Sequence, residues 1–231
     1  MNKIGIIGAM DIEVNGLKAA LTDAKVTKKA GMEFHEGNLN GKDVVVVRSG
    51  IGKVNAAACT QILADLFNVD AVINTGAAGS LDAAINIGDI VISTDVMHHD
   101  MDATIFGYAP GQYPQMDASF VADETLAAKA AEVSGKVNPE LQVFRGRVIS
   151  GDQFISDKNV KERLIETFHG MCTEMEGASI AHVCHLNNIP FVIIRSISDK
   201  ADDSEMVEYP VFEEVAARHS LKLVEGLMKE L

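Results

Sequence analysis

Cys172-Thr173-Glu174-Met175-Glu176-Gly177-Ala178, followed by Pro190-Phe191-Val192-Ile193-Ile194-Arg195-Ser196-Ile197-Ser198-Asp199, carries the reading of this chain. Pro190–Ser198 is a short apolar run rich in β-branched residues, the pattern of a buried strand. Gly177–Asn187, before it, reads as a helix with Glu176 at its head. Ionisable residues inside such a run and at its exit, here Arg195 and Asp199, are costly unless paired or used. Acids and a cation held at strand and helix ends are what a site needs to bind hydroxyls and deliver a proton.

Working outward, apolar runs alternate with helical patterns along the whole chain. Lys3–Gly8 predicts a first strand and Ile12–Leu21 a helix; Glu33–Leu39 and Asp43–Ser49 flank Asn40-Gly41, a hairpin signal. Lys53–Phe67 carries Val54, Ala57, Ala58, Ile62, Leu63 and Leu66 at helical spacing. Ala71–Thr75, Asp89–Ser93 and Gln142–Ser150 read as strands; Asp123–Val133, Lys158–Phe168 and Val211–Leu231 read as helices. Asp100 to Ser119, with Gly107, Pro110, Gly111 and Pro114, reads as a long loop, of a length usually functional or disordered, and Asp199–Tyr209 as a polar, acidic one. The expectation is a single α/β domain over residues 1–231, with a central mixed β-sheet flanked by helices on both faces. Ligands of open α/β sheets sit outside the carboxyl ends of the strands. Five turns there form the rim of one expected pocket: Gly8-Ala9-Met10, Ser49–Gly52, Gly76–Gly79, Ser150-Gly151-Asp152 and Ser198-Asp199.

Composition narrows the function. The 231 residues are 47% hydrophobic and only 5% aromatic, which describes an Ala/Val/Ile/Leu core. Twenty Lys+Arg against 33 Asp+Glu leave a net charge of −13, which argues against nucleic-acid backbones and anionic membrane surfaces as partners. Cys59, Cys172 and Cys184 form no CxxC pair and read as reduced residues of a cytoplasmic protein. Met1-Asn2-Lys3 runs straight into a strand too short for a signal peptide or a membrane span.

Several motifs carry little. Gly50-Ile51-Gly52-Lys53 lacks both GxGxxG and GxxxxGK[ST] spacing and reads as a tight turn into a helix. His98-His99 on a strand point to opposite faces, and His182, Cys184 and His185 lack a carboxylate partner, so no metal is expected. There is no GxSxG elbow and no cysteine with an adjacent base pattern, which argues against covalent catalysis. Glu13, Glu176 and Asp199 can each be read as helix-end or loop charges. Their joint placement at the ends of one sheet favours a functional role, with Arg195 able to neutralise one acid.

Taken together, Ile4–Met10 with Glu13, Ser49–Val54, Asn74-Thr75-Gly76, His99-Asp100, Phe106-Gly107-Tyr108, Ser150-Gly151-Asp152 with Phe154-Ile155, Glu174-Met175-Glu176, and Arg195–Asp199 resemble the 5′-methylthioadenosine/S-adenosylhomocysteine nucleosidase family, in the purine nucleoside phosphorylase-like superfamily. The resemblance covers nearly the whole chain in order. It implies a nucleoside phosphorylase-like three-layer sandwich, and hydrolysis of the N-glycosidic bond of a 5′-thio-substituted adenosine, with no cofactor and no metal. By resemblance, Asp199 would be the general acid acting through adenine N7, oriented by Ser198, and Glu13 the general base for the attacking water. Glu176 would accept hydrogen bonds from the ribose hydroxyls, and Arg195 would help position the water and the carboxylates. Phe154 would stack on adenine, the Ile155 backbone would read its edge, and Met175 would lie against the ribose. Met10, Ile51, Tyr209 and Phe212 would line the 5′-thio side. Ala103, Phe106 and Pro114 would come from a partner subunit, so that a homodimer shares its sites.

Two positions depart from the family pattern. Ala77 stands where a serine that helps hold the water is usual, and Tyr209 where phenylalanine is common. Two competing readings remain: a phosphate-dependent nucleoside phosphorylase, which needs a cationic cluster beside the ribose, and a non-catalytic nucleoside-binding protein. Arg48 and Arg195 are the only cations placed to serve the first, and a binder has no use for an acid and a base together.

Overall fold

A computed structural model describes residues 1–201 and 209–231; the side chains of 209–213 are outside the described residues. Strands β1 (Lys3–Gly8), β4 (Lys42–Arg48) and β5 (Ala71–Ser80) lie side by side and parallel, with β1 in the middle. β10 (Phe191–Asp199) extends them, parallel to β5. β3 (Met32–Leu39) pairs antiparallel with β4 across the Asn40-Gly41 turn, where both residues have positive φ. β6 (Ile90–His98) runs antiparallel to β10 and parallel to β8 (Val143–Ser150), and β8 is parallel to β9 (Cys172–Glu174). The sheet is thus mixed, as the sequence pattern predicts. Because β10 pairs with β5 as well as β6, and β9 pairs with β5, this end of the sheet closes on itself.

The strands bury both faces. Along β1, Ile4 and Ile6 face one core while Ile7 faces the other; along β4, Val44 and Val46 alternate with Val45 and Val47 in the same way. One core takes α1 (Asp11–Ala20), α3 (Glu124–Val137) and α6 (Tyr209–Glu230), through Val14, Leu126 and Leu227 among others. The opposite core takes α2 (Lys53–Phe67) and α5 (Gly177–Leu186) through Cys59, Leu63, Ile180 and Cys184. α4 (Lys158–Phe168) covers a smaller cluster with Leu164 and Phe168. The α/β class and the two-sided cover agree with the sequence reading.

Differences lie in the short and edge elements. β2 (Thr22–Lys29) is an added edge strand beyond β3, largely exposed and without the apolar alternation that would announce it. β7 (Phe120–Val121) and β9 are two and three residues long, below the length that periodicity can detect. β5 and β6 run on past Thr75 and Ser93 into polar and small residues that the apolar pattern leaves out. Asp100 to Ser119 is irregular apart from one 3-10 turn at Thr104–Phe106. Beyond Ala201, the expected acidic loop lies outside the described residues. The apolar face of α2 also needs correcting. Ala56, Cys59, Leu63 and Phe67 point inward, while Val54 and Leu66 of the expected stripe are exposed, because the helix is apolar on more than one side.

Candidate active site

The carboxyl ends of β1, β4, β5, β8, β9 and β10 meet around one cleft. Ala9, Met10 and Glu13 enter after β1, Ile51 after β4, and Ala77, Ala78 and Gly79 from the end of β5. Gln153, Phe154 and Ile155 follow β8, Thr173–Glu176 come from and after β9, and Ser198 and Asp199 end β10. Each of the five turns expected at the rim therefore supplies this cleft or sits beside the residues that do.

Glu13 is buried in the first turn of α1, and its carboxylate folds back over the strand end. Oε2 accepts from the Ala9 and Met10 N–H groups at 2.6 and 2.9 Å, and Oε1 from Ala77 N–H at 3.1 Å. Burial pushes its pKa up, against Arg195 and these backbone donors. The approach of Glu13 and Arg195 requires Gly76, where a Cβ would collide with Arg195 Nη1 and Glu13 Oε1.

Glu176 caps the N-terminus of α5. Its Oε1 accepts from Gly52 N–H at 2.8 Å, and its Oε2 lies 3.9 Å from Arg195 Nη2. Gly52 caps α2 at φ 95°, a backbone state that favours glycine, and this aims the N–H at the carboxylate. Burial, then the Glu174 carboxylate, push Glu176 up to about 7. Asp199 is buried at the exit of β10, with Oδ2 accepting from the Ser198 hydroxyl at 2.9 Å and Oδ1 from Ala201 N–H at 2.7 Å.

Arg195 is fully buried on the strand run where its charge was expected to need a partner. Its Nη2 donates to Glu174 Oε2 and to Asn74 Oδ1, and Asn74 in turn donates to the Ile7 carbonyl at 2.9 Å. Glu174 and Asn74 are the members of this cluster that sequence reasoning left without a role. The available signal for Glu174 was its two-residue spacing from Glu176 beside a buried arginine.

The apolar residues divide by exposure. Ile155 is buried, Met10 and Met175 are half-buried, and Ile51 and Phe154 line the cleft at 52% and 55% exposure. Ala77 lines it with a methyl group and gives Glu13 its N–H. Ala103, Phe106 and Pro114 line no part of this chain's own cleft; Ala103 is buried, whereas Phe106 and Pro114 are exposed. Tyr209 and Phe212 fall in the first turn of α6, where side chains lie outside the described residues. His98 packs against Tyr113 and His182, while His99 lies over Gly151 and Phe168, so the adjacent histidines face different surroundings. Among the described residues no His, Cys, Asp or Glu grouping is arranged to hold a metal, and no helix is long and apolar enough to cross a membrane.

A two-sided mixed sheet with a cleft at its strand ends is the architecture of α/β proteins that bind small molecules. Residues 3–229 match the model of the phosphorylase superfamily, and the chain belongs to that family. Within it, the chain is 45% identical over 230 residues to the 5′-methylthioadenosine/S-adenosylhomocysteine nucleosidase of Tolumonas auensis, covering 99% of this chain and 100% of the relative. The Colwellia psychrerythraea nucleosidase of that name, solved in complex with adenine, superposes with a TM-score of 0.95 at 44% identity, covering 99% of this chain and 95% of the other. The Neisseria meningitidis nucleosidase, solved with methylthio-immucillin-A, superposes at 0.96 with 39% identity and full coverage of both chains.

Proposed function

We propose that this chain is an N-glycosidic hydrolase that cleaves 5′-methylthioadenosine and S-adenosylhomocysteine to adenine and a 5-thioribose product. The observation that carries this reading is the charge of the cleft. Glu13, Glu174, Glu176 and Asp199 line it, and no Lys, Arg or His is among the described lining residues. A phosphorylase must seat a phosphate dianion beside C1′ of the ribose. Here Arg195 is already engaged by Glu174, and Arg48 pairs with Asp11 at 3.3 Å on an exposed face. Water is the nucleophile that such a cleft accepts.

Cleavage develops positive charge on the ribosyl ring, and the leaving adenine needs a proton. Asp199, held by the Ser198 hydroxyl, gives that proton through N7. Glu13 takes one from the attacking water, and its raised pKa makes it the better acceptor. Glu176 accepts hydrogen bonds from the ribose hydroxyls and opposes the developing charge, and Arg195 helps to position the carboxylates and the water. With a methyl group at Ala77, water placement falls to Glu13 and Arg195. Phe154 stacks on adenine, with the Ile155 backbone at the base edge and Met175 at the ribose. Met10 and Ile51, which line the cleft, face the 5′ sulfur substituent.

A homodimer completes the site, with the exposed Phe106 and Pro114 of one subunit closing the other's cleft, while Ala103, expected beside them, is buried in its own chain. The exposed Val54 and Leu66 on α2, and Phe106 at 78% exposure, favour burial against a second copy. A fully active monomer in sedimentation would contradict the shared site. The three unpaired, buried cysteines fit a cytoplasmic protein. The direct test of function is adenine release from 5′-methylthioadenosine with and without phosphate. Release indifferent to phosphate is expected, and release that requires it would make the chain a phosphorylase.

A further inference from the structure

Glu174 is the one carboxylate of the cleft to which the proposed reaction gives no task, and it is the most heavily bonded. Its side chain is 3% exposed. Oε1 accepts from the Ser150 hydroxyl and from Gly177 N–H at 3.0 Å; Oε2 accepts from Arg195 Nη2, from Gly177 N–H at 2.8 Å and from Glu176 N–H at 3.2 Å. Ser150 in turn accepts from Ala178 N–H at 2.7 Å. The carboxylate thus ties together the end of β8, the middle of β10 and the first turn of α5, the turn that carries Glu176. Gly177 leaves room for this, since a Cβ there would sit 3.0 Å from Glu174 Oε1.

We infer that Glu174 is a positioning residue for this hydrolysis: by holding Arg195 Nη2 and the Glu176 and Gly177 N–H groups, it keeps the guanidinium from closing a full ion pair with Glu176. Oε2 of Glu176 then stays 3.9 Å from Arg195 and open to the ribose hydroxyls. A buried guanidinium pairs with the carboxylate whose geometry is best and leaves a second acid under-neutralised. The direction of the Glu176 shift agrees, since after burial the Glu174 charge is what raises it. The ionisable groups that face this pair are Arg195 from β10, Glu13 from α1, Cys172 from β9 and His99 after β6. The inference rests on the hydrolytic reading of the cleft.

The test is Glu174→Gln, with Glu174→Asp and Ser150→Ala beside it, followed as kcat and kcat/KM against pH with 5′-methylthioadenosine. Glu174→Gln is expected to lower kcat at least tenfold, to leave KM within about threefold, and to move the acid limb of kcat/KM about one unit toward low pH as Arg195 turns to Glu176. Glu174→Asp restores the charge and returns the limb to its wild-type place, while its shorter reach keeps kcat low. An acid limb unmoved in Glu174→Gln, with activity lost only in proportion to the folded fraction, would overturn the inference. If Glu174→Gln does not fold, Ser150→Ala decides: several-fold lower kcat with an unmoved limb supports it, and wild-type kcat overturns it. Should the wild-type protein release no adenine, the hydrolytic reading falls instead. Glu176 ionisation, followed by carbon NMR of labelled glutamate in wild type and Glu174→Gln, would still read whether Glu174 controls that carboxylate.

Discussion

The floor and the rim of the cleft are built in opposite ways. On the floor, Glu13, Glu174, Glu176 and Asp199 are buried, with Arg195 beneath them, and main-chain N–H groups from five separate segments fix the carboxylates. At the rim, Ile51 and Phe154 stand half in solvent, and the exposed Phe106 is not among the residues that line its own cleft. A reaction that builds charge at one carbon needs donors and acceptors that do not move, and backbone amides on strand ends provide them. Enclosure of an apolar 5′ substituent asks only for area, which a loop, a helix or a neighbouring subunit can supply. In the proposed mechanism one chain carries the chemistry, and completion of the binding surface is left to elements outside the sheet.

If that division holds, damage to the floor should appear in kcat and damage to the rim in KM. A large effect is expected from Glu13→Gln, which keeps its size but cannot take a proton: kcat should fall on the order of 10²–10⁴-fold with little change in KM. Hydrolysis at the wild-type rate would remove Glu13 from the mechanism. Phe154→Ala should do the reverse, raising KM about tenfold through lost stacking and leaving kcat within about twofold. A large kcat loss there would erase the distinction between floor and rim.

A smaller signature lies in stability. The folded state binds the Glu176 proton more tightly than the unfolded chain, with its pKa raised from 4.5 to about 7. The stabilisation, about 3 kcal/mol at most, is complete below the unfolded value and is lost as pH rises through about 7. The melting temperature should thus fall between about pH 5 and pH 8, and Glu176→Gln should flatten the fall. A melting temperature equally steep in both proteins would place the titration elsewhere. The same ionisation should raise kcat/KM as pH increases through about 7, because the proposed mechanism needs Glu176 charged to accept hydrogen bonds from the ribose hydroxyls.

Much of this was legible in the sequence, for particular reasons. Lys53–Phe67 and Lys158–Phe168 have the bounds that helical spacing gives, and the Phe191–Asp199 strand could be read because β-branched residues continue up to its ionisable ones. Glu13, Glu176, Arg195 and Asp199 stood out as charges at the edges of apolar runs, and the fold brings them to one cleft. β2 was not legible, since an exposed edge strand such as Thr22–Lys29 has no buried face to pattern its residues. The closure of the sheet through β10 pairing with both β5 and β6 is a long-range property that no local period encodes. Glu174 was visible as a letter but not as a partner, because its role depends on Ser150 and Arg195 arriving from other strands.

The most direct test of the division between floor and rim is Asp199→Asn, with 5′-methylthioadenosine binding and adenine release measured on the same preparation. The amide keeps the hydrogen-bonding shape of the carboxyl and has no proton to give. The expected result is nucleoside affinity close to wild type with no adenine released over the time of many wild-type turnovers. Turnover near the wild-type rate would contradict the assignment of Asp199 as the acid, and with it the claim that the buried floor carries out the cleavage.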